Sequence, residues 1–455
     1  MEESRRLEQR IRSYRRSLQK NPVYYNALCE SLTKYQNCGL HTELYLHVFA
    51  PVMTAYVEWV LKEAKASGKQ RLYFLARDGW QMYLTAQKLA EARGIPIDIR
   101  YLRISRYALR IPSYHLMGRT CVEQICLDGM NVTFETLSKR AALTEEETNV
   151  LSRMLGYEER RRERLTRTEL ISLKERLSDT PFFLDCVDAH SRKAYGETMR
   201  YLAQEGLLED IPYALVDSGW TGTMQQTLIL LLSQKKPGIR LCGYYFGLYE
   251  LPGKSHEGYQ AFYFSPGSGL KRKAYFSNCL FECVFSEPVG MTTGYTGRGD
   301  CIRPVTGGKQ NPNGTRLIQN AAALQCYVHA YCTQIKQNRT FDADKTPFVE
   351  ELLTRLMGKP VRKEAECYGA YLFSDDVLEE RLKCVGEPFS EKELRSQNFV
   401  RKMASKLGMT GEKTAERGWA EGSIAAGGRQ VRRYLRHVRC YKYFVYIRKS
   451  WKDWF

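Results

Sequence analysis

The sequence predicts an α/β fold: a Rossmann-like parallel sheet with a helical insertion and helical amino- and carboxyl-terminal regions. Three observations carry this. Arg71 to Ala76 (RLYFLA) is a short apolar run, Arg77-Asp78-Gly79 a turn, and Trp80 to Ala92 a helix stopped by Gly94-Ile95-Pro96, with Ile97 to Ile104 the next strand. Residues 213–232 repeat that grammar: Tyr213 to Val216 is a strand, Gly219 and Gly222 break it, and apolar residues recur at helical spacing from Met224. Between the two units, residues 115–205 turn to Arg, Glu, Leu and Thr at helical periods, interrupting the α/β pattern at a loop. Strands joined through helices pair in parallel and present their loops at one end of the sheet, where ligands bind.

Both loops have the chemistry of an oxyanion site. A glycine turn aims successive backbone N–H groups at one spot, and the helix behind it adds the positive end of its dipole. Ser218, Gly219, Thr221, Gly222 and Thr223 make one such turn, with hydroxyls added; Arg77, Asp78 and Gly79 make the other. Asp217 ends its strand facing the same crevice, where it can accept hydrogen bonds from sugar hydroxyls. Ser105, Arg106 and Arg110 follow the next strand; arginine suits bidentate contact with phosphate, and an ordinary surface loop explains them equally well. Glu282, Ser286 and Glu287 lie among apolar residues, a setting for a general base or sugar ligand, or for an ion pair with a nearby arginine.

FLARDGW and VDSGWTGT together resemble the phosphoribosyltransferase-like domain of bacterial polysaccharide gene clusters, often fused behind a haloacid-dehalogenase-type phosphatase and usually labelled a predicted hydrolase. The resemblance covers residues 40–300. It implies a phosphoribosyltransferase-type sheet, with VDSGWTGT as the loop for the 5-phosphate of phosphoribosyl pyrophosphate (PRPP) and LARDG as the loop for the pyrophosphate. The family's acidic pair is reduced here to Asp217-Ser218, and the loop is shorter. The implied activity is transfer of a 5-phosphoribosyl group from PRPP to a sugar hydroxyl on a lipid-linked surface glycan, a separate phosphatase later removing the phosphate. Mg²⁺ would arrive on the pyrophosphate and need no protein cage. Arg77, Asp78 and Gly79 would hold the pyrophosphate, Ser218 to Thr223 the 5-phosphate, Asp217 the ribose, and Glu282 would be the acceptor base. Two rivals stand. Asp217 and Thr221 fit the first motif of a haloacid-dehalogenase-type phosphatase, except that Gly219 replaces its second acid. A non-catalytic scaffold docking on membrane or RNA is the other.

The 455 residues suit several units: a helical region 1–66, the α/β core 67–114 with 206–300, the insertion 115–205, a helical region 301–420, and a linker and tail 421–455. The insertion is expected to close over the site. Cys301 to Thr315 reads as a loop, Gly308-Lys309 lacking the order of a P-loop, and Glu421 to Gly428 as a glycine-alanine linker. Residues 41–66 read as a core helix pair, and Glu2 to Lys20 as a solvated basic helix. A net charge of +18 draws the chain to polyanions, with phosphorylated substrates or an anionic membrane preferred to nucleic acid. The tail Arg429 to Phe455 alternates arginines with Tyr434, Leu435, Tyr441, Phe444, Trp451 and Trp454, which suits a bilayer surface as well as a tail folded back on the body. The 14 cysteines show no C-x-x-C pair, and the amino terminus is charged, so the expected setting is cytoplasmic, peripheral to the inner face of the plasma membrane.

Overall fold

The computed structural model describes residues 2–129, 132–253, 256–299, 301–307, 310–335, 344–374, 382–406, 409 and 414–452. Helix α1 (Glu2–Gln19) keeps its charges outward but packs Tyr14, Ser17 and Leu18 inward, and α2 (Pro22–Lys34) follows. Next come α3 (Leu40–Leu44), a π-helical turn (Tyr45–Phe49) and α4 (Ala50–Ala66), continuous over 27 residues rather than the pair expected. Pro51 cannot donate to the turn before it, and one wider turn absorbs the defect without breaking the helix. This helix is long and apolar enough to cross a membrane, yet its apolar stretch is 94% buried inside the protein.

The first α/β unit is β1 (Arg71–Leu75), α5 (Gly79–Arg93) and β2 (Asp98–Leu102), leading to α6 (Arg106–Met117). Then come α7 (Cys121–Ile125), α8 (Phe134–Arg140), α9 (Glu145–Met154), α10 (Arg167–Ser178) and α11 (Pro181–Gln204). They enclose a core of their own that includes Phe134, Leu151, Leu173 and Phe183. Thr144 and Thr166 start α9 and α10 through capping boxes with Glu147 and Glu169. Helices α6 and α11 straddle the edges of the insertion: Tyr114 and Val187 join its core, Leu109 and Leu202 that of the sheet.

The second unit is β3 (Tyr213–Trp220), α12 (Thr223–Ser233), β4 (Cys242–Leu248) and β5 (Tyr259–Phe264). Strand β3 runs on through Asp217, Ser218 and Gly219, because β4 continues to pair with it up to Trp220. The five strands are all parallel, in the order β2-β1-β3-β4-β5. Side chains alternate across the sheet. Leu72, Phe74, Val216 and Phe246 face one helical layer with α4 and α5, while Tyr73, Leu75 and Leu215 face the other with α6, α11 and α12. A five-stranded parallel sheet between helices is compatible with a Rossmann-like fold.

Beyond β5 lie α13 (Leu270–Tyr275), α14 (Asn278–Phe285), and an antiparallel hairpin of β6 (Thr292–Arg298) with β7 (Cys301–Thr306). Residues 301–306 are therefore strand, not loop. Pro304 is tolerated because both strands of a two-stranded ladder are edges. Gly308 and Lys309 lie outside the described residues. The carboxyl-terminal region holds α15 (Gly314–Ile335), α16 (Thr346–Leu356), α17 (Arg362–Gly369), the short ladder of β8 (Leu372–Phe373) with β9 (Lys383–Cys384), α18 (Glu391–Ser396) and α19 (Phe399–Lys406). The expected linker is a helix, α20 (Ala420–Gly427), whose Gly422 lies against the buried ring of Trp419. The tail is a helix too, α21 (Val431–Lys452), folded onto the body through Tyr434, Leu435 and Val438. The side chains of Trp451 and Trp454 lie outside those described.

Candidate functional site

The carboxyl ends of β1 and β3, adjacent in the sheet, frame a cavity of about 460 Å³. Strand β1 has its sequential successor β2 on one side and β3 on the other, so the chain reverses direction of winding between them. Such a switch point leaves a crevice at the strand ends, where ligands of open α/β sheets bind. Of the residues singled out in the sequence, Arg77, Asp78, Ser105, Arg106, Asp217, Ser218, Gly219, Thr221, Gly222, Thr223, Glu282 and Ser286 line this one cavity. Gly79 stands behind it as the first residue of α5; a Cβ there would press within 3.0 Å of the Phe74 backbone, so glycine allows the helix to sit against β1. Arg110 and Glu287 are not part of the lining. Burial and the charge of Arg106 lower the pKa of Arg110 to about 10, whereas buried Glu287 accepts from Arg103 Nη1 at 3.3 Å.

The two loops are joined directly: Ser218 Oγ donates to Asp78 Oδ2 at 2.6 Å. Gly219 (φ 102°) and Gly222 (φ 63°) have backbones that L side chains rarely adopt, and a Cβ on Gly219 would meet the Gly247 carbonyl at 2.7 Å. Thr221 and Thr223 hold their hydroxyls 3.5 Å apart at the start of α12. Helices α5, α6 and α12 begin at this rim, with Asp78, Ser105 and Gly222 as the residues just before them. Their amino-terminal ends favour an anion. Ser105 is a cap: its hydroxyl accepts from Ala108 N at 2.9 Å and donates to Thr292 O at 2.6 Å. Its one proton is thus committed within the protein, and Arg106 beside it supplies the charge.

The same lining holds a group of carboxylates, Asp78, Asp217 and Glu282. Burial raises the pKa of Asp217 to about 7, helped by the charge of Asp78 and opposed by the N–H groups of Ser218 and Gly219. Burial likewise pushes Glu282 up to about 7, again with Asp78, and against the pull of Arg106 and the hydrogen bond from Trp220. That bond, from Trp220 Nε1 to Glu282 Oε1, is 2.6 Å long and holds the carboxylate in place from α14. Trp220 takes a positive φ (68°) to reach it. Tyr56, from the long buried helix, donates to the Asp217 and Tyr244 carbonyls, pinning the strand beneath the site.

The insertion, residues 115–205, contributes nothing to the lining among the described residues; the hairpin side and the carboxyl-terminal region do instead. Met291, Asn311, Asn313, Phe373 and Leu382 complete the wall, with Asn278 and Cys279 from α14. Asn313 holds β8 there by exchanging two hydrogen bonds with the Leu372 backbone, at 2.8 and 2.9 Å. The sequence marks Asn311-Pro312-Asn313-Gly314 as a turn, but nothing local ties that turn to a loop more than 200 residues earlier. Cys279 and Cys283, which form no disulfide, lie one helical turn apart on the cavity side of α14. Among the described residues no group of three or more His, Cys, Asp or Glu forms a metal cage. No protein-family model and no curated protein sequence matches this chain.

Proposed function

We propose that the protein is a phosphoribosyltransferase-type glycosyltransferase. It would move the 5-phosphoribosyl group of PRPP to a sugar hydroxyl of a lipid-linked glycan in bacterial surface polysaccharide synthesis. The observation that supports this most is the shared cavity, in which two glycine loops on adjacent parallel strands converge on one crevice. A donor with a phosphate at each end of a ribose needs two anion cradles a sugar apart. Ser218 to Thr223 would hold the 5-phosphate and Arg77 with Asp78 the pyrophosphate, while Asp217 would take the ribose hydroxyls. In the reaction the acceptor oxygen bonds to C1 of the ribose as the bond from C1 to pyrophosphate breaks. Glu282, with its pKa near 7, is matched to receive the acceptor's proton.

The donor set also fits a cation carried by the donor. Asp78 raises the pKa of both Asp217 and Glu282, and a divalent ion would relieve that repulsion. Bound on the pyrophosphate near Asp78 and Asp217, Mg²⁺ would neutralise charge on the leaving group. Arg106 and the three helix ends would stabilise the same charge. A nucleophilic role for Asp217, as in a phosphatase, fits less well: Gly219 stands where that motif has its second acid.

The test is the reaction itself. Purified protein with PRPP, Mg²⁺ and a glycan acceptor should release pyrophosphate and leave simple phosphoesters intact. Robust phosphoester hydrolysis that Asp217→Asn abolishes, with no PRPP binding by calorimetry, would replace this reading with the phosphatase.

A further inference from the structure

We propose that α19 and the outer face of α21 form a docking surface for an anionic lipid membrane. Val400 is 70% exposed, Phe444 40% and Ile447 43%, unusual values for large apolar side chains in ordered helices. The ring of Phe399 packs edge-on against that of Phe444, with centroids 6.4 Å apart, and joins the two helices into one apolar strip. Of the tail residues singled out in the sequence, Phe444 lies on this face, whereas Tyr434 and Leu435 are spent on the body.

Neither α19 nor α21 carries an acidic residue, and Glu416, the acid beside α19, is paired with Lys402 and Lys406. Helix α21 carries eight Lys and Arg and no Asp or Glu. Three of these are engaged with the body: Lys442 pairs with Glu421, Lys449 with Glu250 at the surface, and Arg439 lies over the Tyr275 ring. Arg432, Arg433, Arg436 and Arg448 are exposed, as is Arg401 on α19, and none of the five makes an ion pair among the described residues. Cations flanking exposed valine, phenylalanine and isoleucine match a lipid surface, where phosphates meet the arginines and the apolar tips enter the acyl boundary. A nucleic acid backbone would repay the arginines alone. The surface also has a defined position. Tyr446 stacks on Tyr249 at 5.3 Å and Lys449 reaches Glu250, both just past the end of β4, so the strip stands at the same end of the sheet as the cavity.

The test is co-sedimentation of the full chain with phosphatidylcholine vesicles, with and without phosphatidylglycerol. Wild type should bind only the vesicles that contain phosphatidylglycerol, and added salt should release it. Arg436→Gln with Arg448→Gln should weaken binding about thirtyfold. Val400→Ser with Ile447→Ser should weaken it about tenfold or more at an unchanged melting temperature, because both side chains are already exposed. Equal binding to both vesicle types, or wild-type binding by both variants, overturns the proposal. Binding to polyuridylate in place of phosphatidylglycerol vesicles overturns it in favour of nucleic acid.

Discussion

Glu282 and Asp217 show how one neighbourhood sets both chemistry and stability. Each has its pKa raised from an ordinary carboxylate value, 4.5 and 3.8, to about 7 by burial and by Asp78. Between those values the unfolded chain is ionised while the folded one keeps its protons, so the stability these two groups contribute is fully present below about pH 4 and is lost as pH rises to about 7. The melting temperature of Asp217→Asn should therefore gain on that of the wild type as pH rises from about 4 to about 7. Turnover should move against that loss of stability. The proposed base works only once deprotonated, so pyrophosphate release should rise through about pH 7, and Glu282→Gln should lower it about 10²–10⁴-fold and flatten that rise. Arg77, Asp78 and Asp217 could be read in the sequence because a charged residue ending an apolar strand marks its carboxyl end. Phe373 and Leu382 could not, since only the packing of the distant carboxyl-terminal region brings them to the wall. Ser105 was legible as a rim residue, but its one hydroxyl proton is committed to the Thr292 carbonyl.

At the scale of elements, α20 and α21 show where composition misleads. Gly, Ala and Ser serve flexible chain and tight helix packing alike; Trp419, buried and donating to the Met357 carbonyl at 2.7 Å, decides for packing. The tail is then anchored by a pair that only tertiary structure creates. Lys442 Nζ lies 2.7 Å from Glu421 Oε1 and donates to the Phe276 carbonyl at 3.0 Å, one residue before the cap of α14. Removing one partner leaves a buried charge alone. Lys442→Met should therefore destabilise the protein by about 3–5 kcal/mol in urea unfolding, and adding Glu421→Leu should recover most of the loss. The elements read correctly, β1, α5, β3 and α12, are those where hydrophobic period and glycine placement agree locally. The helix pair that proved to be one helix was misread because Pro51 usually ends a helix.

For the whole molecule, the order β2-β1-β3-β4-β5 is what turns two separate motifs into one site. The two repeated units foretold a parallel sheet; that β3 would insert beside β1 was a matter of topology, which short-range pattern does not encode. If PRPP with Mg²⁺ occupies the cavity, it ties both loops into the folded state alone. At about a hundredfold over its Kd it should raise unfolding free energy by about 2.7 kcal/mol, and calorimetry with pyrophosphate in place of PRPP should give less.

Ser218 and Asp78, which touch across the site, are 140 residues apart in the chain. On the ribosome, β1 is therefore finished on the order of ten seconds before its partner β3 exists. During that interval β1 has an open edge, a template for the wrong strand. The insertion that separates them has a core of its own and can fold as it emerges, shortening the slack chain between the two strands and bringing the late strand to the waiting edge. A segment that supplies none of the described cavity wall thus bears on how far the chain must close to bring β3 to β1.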